Sequence, residues 1–413
     1  MHLFSGKVIF LLLETTLLVG AYMFKIQTLN KISPRGLDRF PHDSYEIATE
    51  FSHPDAVLVR SANMLETSFA DTVKAIGRAG AGVNNIPVDR CSKSGIVVFN
   101  TPGANANAVK ELAILSLLIS SRKVVDSVLF LHQAAGKGEE LSKLVEKNKS
   151  LFVGPEVLGK KLGIIGLGAI GVMVANSALA LGMEVEGHDP FITVDAAWSL
   201  SKDIKKAKGI DRLIATSDYI SLHVPQTEKT KGFLNEEKIS RMKKGVRIIN
   251  LSRGGIVDEK AVIAAIKSGQ ISCYVTDFAS DALLSTENVI CFPHLGASTP
   301  EAEENCALMI VDQVKDFLEN GNIRNSVNFP AITLERQGER RLTIINRNVP
   351  NMVGQFSTVL ADAKINILEM INKSQNELAY NILDIEGPLS EEVIKKLNAI
   401  EGVIKIREIV IPV

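Results

Sequence analysis

The chain lacks an excess of charge of either sign. Its 46 lysines and arginines stand against 47 aspartates and glutamates, a net charge of −1, so no basic surface argues for a nucleic-acid partner. Paired cysteines are missing as well. Cys91, Cys273, Cys291 and Cys306 are widely spaced and form no C-x-x-C pair. They read as buried thiols in a reducing, cytoplasmic compartment, which excludes a disulfide framework and a zinc site. Aromatic residues are few, while the apolar content is ordinary for a globular protein. A long unbroken apolar run is also absent. Val8–Leu13 and Leu17–Phe24 are apolar, but Glu14 interrupts them, and an acid in mid-span costs about 2.5–3.5 kcal/mol on insertion scales. No small-x-small cleavage site follows, and no linker separates the run from the first expected strand. Residues 1–22 are therefore expected to be a dispensable extension, with Met23 well placed as the true start, and no membrane partner is expected.

What is present is a glycine-rich turn at mid-chain. Gly166, Gly168 and Gly171 form G-x-G-x-x-G after the apolar run Leu162–Ile165, and a helix-like stretch, Val172–Leu181, follows. A second apolar run ends in Asp189, 23 residues after Gly166. This is a dinucleotide-binding fingerprint in its required context. Gly166 permits the tight turn, Gly168 lets the backbone approach a pyrophosphate, and Gly171 lets helix and strand pack closely. Leu167, Ala169 and Ile170 complete the loop, whose helix N-terminus offers free N–H groups to phosphates. Asp189 suits ribose hydroxyls and repels a 2′-phosphate, which favours NAD over NADP.

A chain of 413 residues suggests two to four domains. From Lys25, short apolar runs alternate with helical patterns, which argues α/β with parallel sheets. Strands are expected at Lys25–Leu29, Ala56–Val59, Ala75–Ala79 and Val97–Phe99, with helical periodicity at Phe69–Ala75 and Val88–Ser94. Asn107–Lys123 reads as a long crossover helix, followed by a more polar stretch, Gly136–Ser150. Six strands are then expected, at Leu162–Ile165, Glu184–Gly187, Tyr219–His223, Val246–Leu251, Cys273–Asp277 and Val289–Phe292, the doubly wound count. Ser298–Glu319 is strongly helical, with Pro300 in its first turn and Ser298 or Thr299 as cap. It returns the chain to the first lobe. The expected architecture is a Rossmann lobe, 106–293, inserted into a discontinuous flavodoxin-like lobe, 23–105 with 294–330. After a linker at Asn328–Gly338, residues 340–413 read as a separate βαββαβ, ferredoxin-like unit.

Polar groups fall at the carboxyl ends of the second-lobe strands, where such sheets bind ligands. Arg253 precedes Gly254-Gly255; its guanidinium can hold a carboxylate bidentately and polarise an adjacent carbonyl. His294 ends an apolar strand, and hydride transfer from an alcohol needs a base for the hydroxyl proton. His223 competes for that role, but the Val224-Pro225 after it looks like a nucleotide-shelf turn.

Taken together, these motifs resemble the D-2-hydroxyacid dehydrogenases, most closely the members that act on phosphoglycerate and carry a C-terminal ACT domain. The resemblance runs from Met23 to Val413. It rests on Gly80-Ala81-Gly82-Val83-Asn84-Asn85, Gly166–Gly171 with Asp189, His223-Val224-Pro225, Ser252–Glu259 and His294–Thr299. It implies NAD-dependent oxidation of 3-phospho-D-glycerate to 3-phosphooxypyruvate, the first step of serine synthesis. Related readings are a dehydrogenase for another acid, such as 2-hydroxyglutarate, and an NAD-sensing corepressor. The resemblance implies Arg253 on the substrate carboxylate and His294 as base. A glutamate normally supports that histidine, but the text here is Asp277-Phe278-Ala279-Ser280-Asp281-Ala282, so Asp281 is the nearest candidate. Arg60 and Ser61 match the grip on the phosphate, Asn84 the carboxylate side, and Lys31 is a further cation. Val109, Thr227, Asn250 and Asp277 match positions around the cofactor, with His223, Pro225, Ser252 and Gly296 beside them. In the tail, Asn346, Asn348 and Asn366 match an effector site for L-serine, with Asn351 where glycine is usual. A homodimer or homotetramer is implied.

Overall fold

The computed structural model describes residues 22–410; the N-terminal segment 1–21, and with it nearly all of the apolar extension, lies outside them. The first sheet is built from β1 (Phe24–Thr28), β2 (Tyr45–Ala48), β3 (Ala56–Val59), β4 (Ala75–Arg78) and β5 (Val97–Phe99), with short helices α1 (Pro34–Leu37) and α2 (Val88–Lys93) between them. All pairs are parallel, in the order β2-β1-β3-β4-β5, the flavodoxin-like order. Every residue of β3 is buried, as expected of a parallel strand covered on both faces.

Helices α3 (Ala106–Ser121), α4 (Val124–Gln133) and α5 (Glu140–Asn148) lead to the second sheet. It is made by β6 (Lys161–Ile165), α6 (Ala169–Ala180), β7 (Glu184–His188), α7 (Val194–Trp198), β8 (Lys205–Lys206), α8 (Ile210–Thr216), β9 (Tyr219–Leu222), α9 (Glu236–Ser240), β10 (Val246–Asn250), α10 (Glu259–Lys267), β11 (Ile271–Thr276), α11 (Asp281–Leu284) and β12 (Val289–Cys291). Its order is β12-β11-β10-β9-β6-β7-β8. The sheet reverses between β6 and β9, and the glycine turn after β6 opens at that switch point.

Helix α12 (Pro300–Asn320) then crosses back to the first sheet. Thr299 Oγ1 accepts from Ala302 N–H at 3.1 Å, Pro300 begins the helix, and Gly321 at φ 71° ends it. Val311, Val314 and Phe317 of α12 join Leu58, Ala75 and Phe99 in one buried cluster. Among the described residues, no helix is long and apolar enough to cross a membrane.

The C-terminal sheet comes from β13 (Arg340–Arg347), α13 (Met352–Asp362), β14 (Ile367–Gln375), β15 (Leu378–Ile385), α14 (Glu391–Asn398) and β16 (Val403–Val410). It is antiparallel, in the order β14-β15-β13-β16. It is less separate than its sequence suggests. Ile345, Tyr380 and Ile382 enter the same buried cluster as α12 and the first sheet, and Tyr380 Oη donates to Gly321 O at 2.8 Å.

Four local expectations are corrected. Phe69–Ala75 is irregular up to the start of β4, because Val73 N–H bonds Ala70 O and Lys74 N–H bonds Asp55 O. Its apolar residues still cover the sheet, which is why they mimic a helical period. The polar stretch after Gly136 contains α5. The edge strands β2 and β8 were missed; β8 is two exposed lysines with no hydrophobic pattern to find. The second sheet therefore has seven strands, not six.

Candidate active site

The carboxyl ends of strands from both sheets build the site. At the glycine turn, Gly166 has φ 95°, and a Cβ there would lie 2.5 Å from His223 O. A Cβ on Gly171 would lie 2.0 Å from Gly166 O, so both positions demand glycine. Gly168 faces open space and caps α6 without any side chain. Asp189, just past β7, accepts from Leu167 N–H and Phe191 N–H, both at 2.8 Å, which ties the acid to the turn. The exposed backbone of Gly168 and Ala169 at the start of a 12-residue helix fits a pyrophosphate.

His223 is spent locally. Its Nε2 meets Ser221 Oγ at 2.8 Å, and burial pushes the imidazole down to about 4. It is absent from the cavity described below, so it does not compete with His294. Thr227 and Pro225 are exposed on the neighbouring turn, where Thr230 Oγ1 donates to Pro225 O at 2.6 Å.

After β10, Asn250 is fully buried. Its Nδ2 donates to Arg253 O at 3.0 Å, and its Oδ1 accepts from Ser252 N–H at 3.2 Å. Asn250 therefore shapes the turn that presents Arg253, and burial leaves its side chain no face for a cofactor. Ser252 Oγ is anchored on Leu222 O. Arg253 Nη1 donates to Ser252 O at 2.6 Å, and its guanidinium is so close to Gly82 that a Cβ there would lie 2.7 Å from Nη2. The second lobe's arginine thus reaches the first lobe's glycine loop.

The turns that follow β11 and β12 meet. His294 sits at φ 51° and donates its N–H to Asp277 O at 3.2 Å. Phe278 meets the imidazole edge-on, with centroids 5.2 Å apart and planes at 84°. Asp277 is buried; Oδ2 accepts from Gly296 N–H at 3.3 Å, and Oδ1 has no partner among the described residues. Burial pushes its carboxyl above the usual range, against the opposing pull of His294, Gly296 and Arg253. A Cβ on Gly296 would lie 3.6 Å from Val109, so Val109, Asp277 and Gly296 meet beside His294. The orphaned oxygen is an acceptor waiting for a donor, which suits a carboxamide such as that of nicotinamide.

The expected carboxylate support for His294 is not where the sequence put it. Asp281 is exposed in the first turn of α11, where its charge suits the helix end, and among the described residues it makes no hydrogen bond to His294. The carboxylate that feels His294 is Asp277. Asp281→Ala should leave kcat within about twofold of wild type in steady-state assays, since surface changes away from such features are small. A loss beyond tenfold would restore Asp281 to the catalytic group.

In the first lobe, β3 and β4 pair Val59 with Arg78, so Arg60 and Arg78 emerge side by side. Asn30 Oδ1 accepts from the N–H groups of Arg60, Ser61 and Ala62 at 3.0, 2.9 and 2.9 Å. Arg78 Nε donates to Arg60 O at 3.1 Å. Burial lowers the pKa of Arg78, and the guanidiniums of Arg253 and Arg60 lower it further. Like charges are thus crowded around a partly buried guanidinium.

One cavity of about 500 Å³ brings these groups together. Lys31, Arg60, Ser61, Arg78 and Asn84 line it from the first lobe, and Arg253, Phe278 and His294 from the second. Asn30, Arg78 and Phe278 were missed by sequence reasoning. Arg78 carried a usable signal, a cation directly at the carboxyl end of an apolar strand. In the tail, Asn346 is buried, with Oδ1 accepting from Asn381 Nδ2 at 2.7 Å. It belongs to the core and does not present its side chain to an effector. Asn348 and Asn366 are exposed but stand at opposite ends of β13 and β15. Asn351 takes φ 66°, a left-handed conformation that asparagine tolerates in place of glycine.

Residues 127–296 match the family described as D-isomer specific 2-hydroxyacid dehydrogenase, NAD binding domain. The chain is 33% identical over 372 residues to the D-3-phosphoglycerate dehydrogenase of Methanocaldococcus jannaschii, covering 86% of this chain and 68% of that protein. With the D-3-phosphoglycerate dehydrogenase of Haemophilus influenzae it shares 30% over 422 residues, covering 98% of this chain and 97% of that one. Some other relatives are longer, and the chain spans 54–63% of their length. The crystal structure of NAD+-bound 3-phosphoglycerate dehydrogenase from Entamoeba histolytica superposes with a TM-score of 0.59 at 27% identity, over 74% of this chain and 99% of that one. The chain belongs to the D-isomer-specific 2-hydroxyacid dehydrogenases, an NAD-binding class of oxidoreductase. Within that class, its similarity is to enzymes named D-3-phosphoglycerate dehydrogenase.

Proposed function

We propose that the chain oxidises 3-phospho-D-glycerate to 3-phosphooxypyruvate, with NAD taking the hydride from C2, and so opens serine synthesis. The observation that carries this reading is the crowding of Arg60, Arg78 and Arg253 in one cavity with Lys31 beside them. Such a site suits a small acid with a carboxylate at one end and a phosphate at the other.

NAD supplies the hydride acceptor when bound. Gly166, Gly168 and the α6 N-terminus receive its pyrophosphate, Asp189 its ribose, and Val109, Asp277 and Gly296 its nicotinamide end. Arg253 holds the substrate carboxylate and polarises the C2 oxygen. His294 takes the C2 hydroxyl proton as the C2–H bond breaks, and returns it in the reverse direction. Arg60, Ser61, Arg78 and Lys31 hold the phosphate, and Asn84 lies between the two ends. Residues 23–105 with 294–330 serve as the substrate lobe and 106–293 as the nucleotide lobe.

Residues 340–413 serve as an ACT-type unit that takes L-serine and pairs chains into a dimer or tetramer. Asn348 and Asn366 are separated by the length of the eight-residue β13, roughly 25 Å at ~3.3 Å per residue. One serine cannot touch both in one chain, so a second copy is required.

NADH oxidation with phosphooxypyruvate, 2-oxoglutarate and pyruvate tests the reading. Phosphooxypyruvate is expected to be preferred at least tenfold in kcat/KM, about 1.4 kcal/mol. Preference for 2-oxoglutarate, or no turnover of any 2-oxo acid, would overturn it.

A further inference from the structure

The cavity holds one feature that opposes its own chemistry. Among the described residues that line it, Glu303 is the single carboxylate, facing Lys31, Arg60, Arg78 and Arg253. Its Oε1 lies 2.7 Å from Arg60 Nη1. We propose that Glu303 sets the enzyme's discrimination for a phosphorylated substrate, by occupying Arg60 and competing with the substrate's distal anion. This rests on the substrate reading above.

Helix geometry makes Glu303 the side chain that reaches across. Ala302, Glu303, Cys306 and Ala307 line the cavity from α12, the i, i+3, i+4 face of one helix. Three of the four are small, so Glu303 alone has reach. The next acid, Glu304, is turned away to Arg35 at 2.5 Å. Arg60, for its part, is fixed at the backbone by Asn30 and Arg78. The remaining freedom is the partner its guanidinium takes.

The pair is built to yield. Arg60 and Glu303 are 35% and 45% exposed, and ion pairs that wet are worth little. A phosphate bearing about −1.5 to −2 charge displaces a single carboxylate readily. Once displaced, Glu303 remains beside the bound phosphate as a like charge and weakens its hold. A substrate with a neutral hydroxyl at that end leaves the Arg60–Glu303 pair intact. Glu303 thus narrows the preference for phosphorylated over unphosphorylated acids, and it acts on binding, not on the proton or hydride steps at the far end.

The experiment compares wild type and Glu303→Gln with phosphooxypyruvate and with hydroxypyruvate, its unphosphorylated analogue. The variant should show a KM for phosphooxypyruvate lowered about two- to fivefold, the size set by an exposed ion pair. Its kcat should stay within about twofold, its KM for hydroxypyruvate should not fall, and the difference should shrink in high salt. An unchanged KM for phosphooxypyruvate, or an equal fall for both substrates, would overturn the proposal while leaving the substrate reading intact. Wild-type enzyme that does not turn over phosphooxypyruvate would overturn both.

Discussion

His294→Ala should lower kcat by about 10²–10⁴-fold, the usual contribution of a positioned general base, while NADH binding followed by fluorescence survives. The two readouts separate because the imidazole and the cofactor cradle are held by different atoms. Gly166, Gly171 and Asp189 build the cradle through backbone contacts, and none of these involves the His294 side chain. Removing the imidazole also removes the edge-on contact with Phe278, but not the backbone bond from His294 to Asp277 that shapes the turn. His294→Asn keeps a polar side chain and tolerates the positive φ, so it controls for backbone disturbance. Full activity in either variant would refute the assignment of the base, and His223 would not replace it, because it lies outside the cavity with its Nε2 held by Ser221 Oγ at 2.8 Å.

The largest expected effect on stability lies far from the chemistry. Arg341 and Asp384 are both fully buried and form a two-pronged pair, Nε to Oδ1 at 2.6 Å and Nη2 to Oδ2 at 2.8 Å. Arg341 Nη1 also donates to Asn320 O at 2.9 Å and Leu334 O at 3.0 Å, and Asp384 Oδ2 accepts from Gln337 N–H at 2.8 Å. One ion pair therefore ties β13 and β15 to the end of α12 and to the linker. Asp384→Ala leaves a buried guanidinium without its counter-ion, a change that costs about 3–5 kcal/mol. Urea unfolding followed by circular dichroism should show that loss, first in the C-terminal unit, with kcat at low urea little changed. A cost below about 1 kcal/mol would mean that water reaches Arg341. Replacing both residues with apolar ones of similar size should cost much less than Asp384→Ala, because no charge is then stranded.

The local framework was legible in the residues, and the convergence of side chains was not. Thr299, Asp258 and Ser390 cap α12, α10 and α14 through bonds three residues long, and such short-range chemistry is written in sequence. The glycine turn was legible for the same reason: Gly166 and Gly171 answer to a strand, a turn and a helix that are neighbours in the chain. The order of the C-terminal elements followed from alternating apolar periods, although their contact with α12 did not.

What failed was each inference that needed to know what a side chain meets across the fold. Asp281 looked like the support for His294 by position, yet Ser280 starts a helix there and turns it outward. Asn346 and Asn250 looked like ligand contacts and are buried in hydrogen-bond networks. Arg78 looked like the end of a strand and proves to be the third arginine of the cavity.

By itself, the sequence determined a dinucleotide fold with its acid at the second strand, an arginine and a histidine at later strand ends, and an α/β lobe ahead of it in the chain. Those features depend on period, caps and turns, which act within a few residues. Only the tertiary structure decided that Arg60, Arg78 and Arg253 share one cavity with the Glu303 carboxylate. That outcome depends on the register of β3 against β4 and on the path of α12 across both lobes. Register and helix path are set by the packing of distant apolar faces, so the balance of charge in the site belongs to the fold rather than to any stretch of chain.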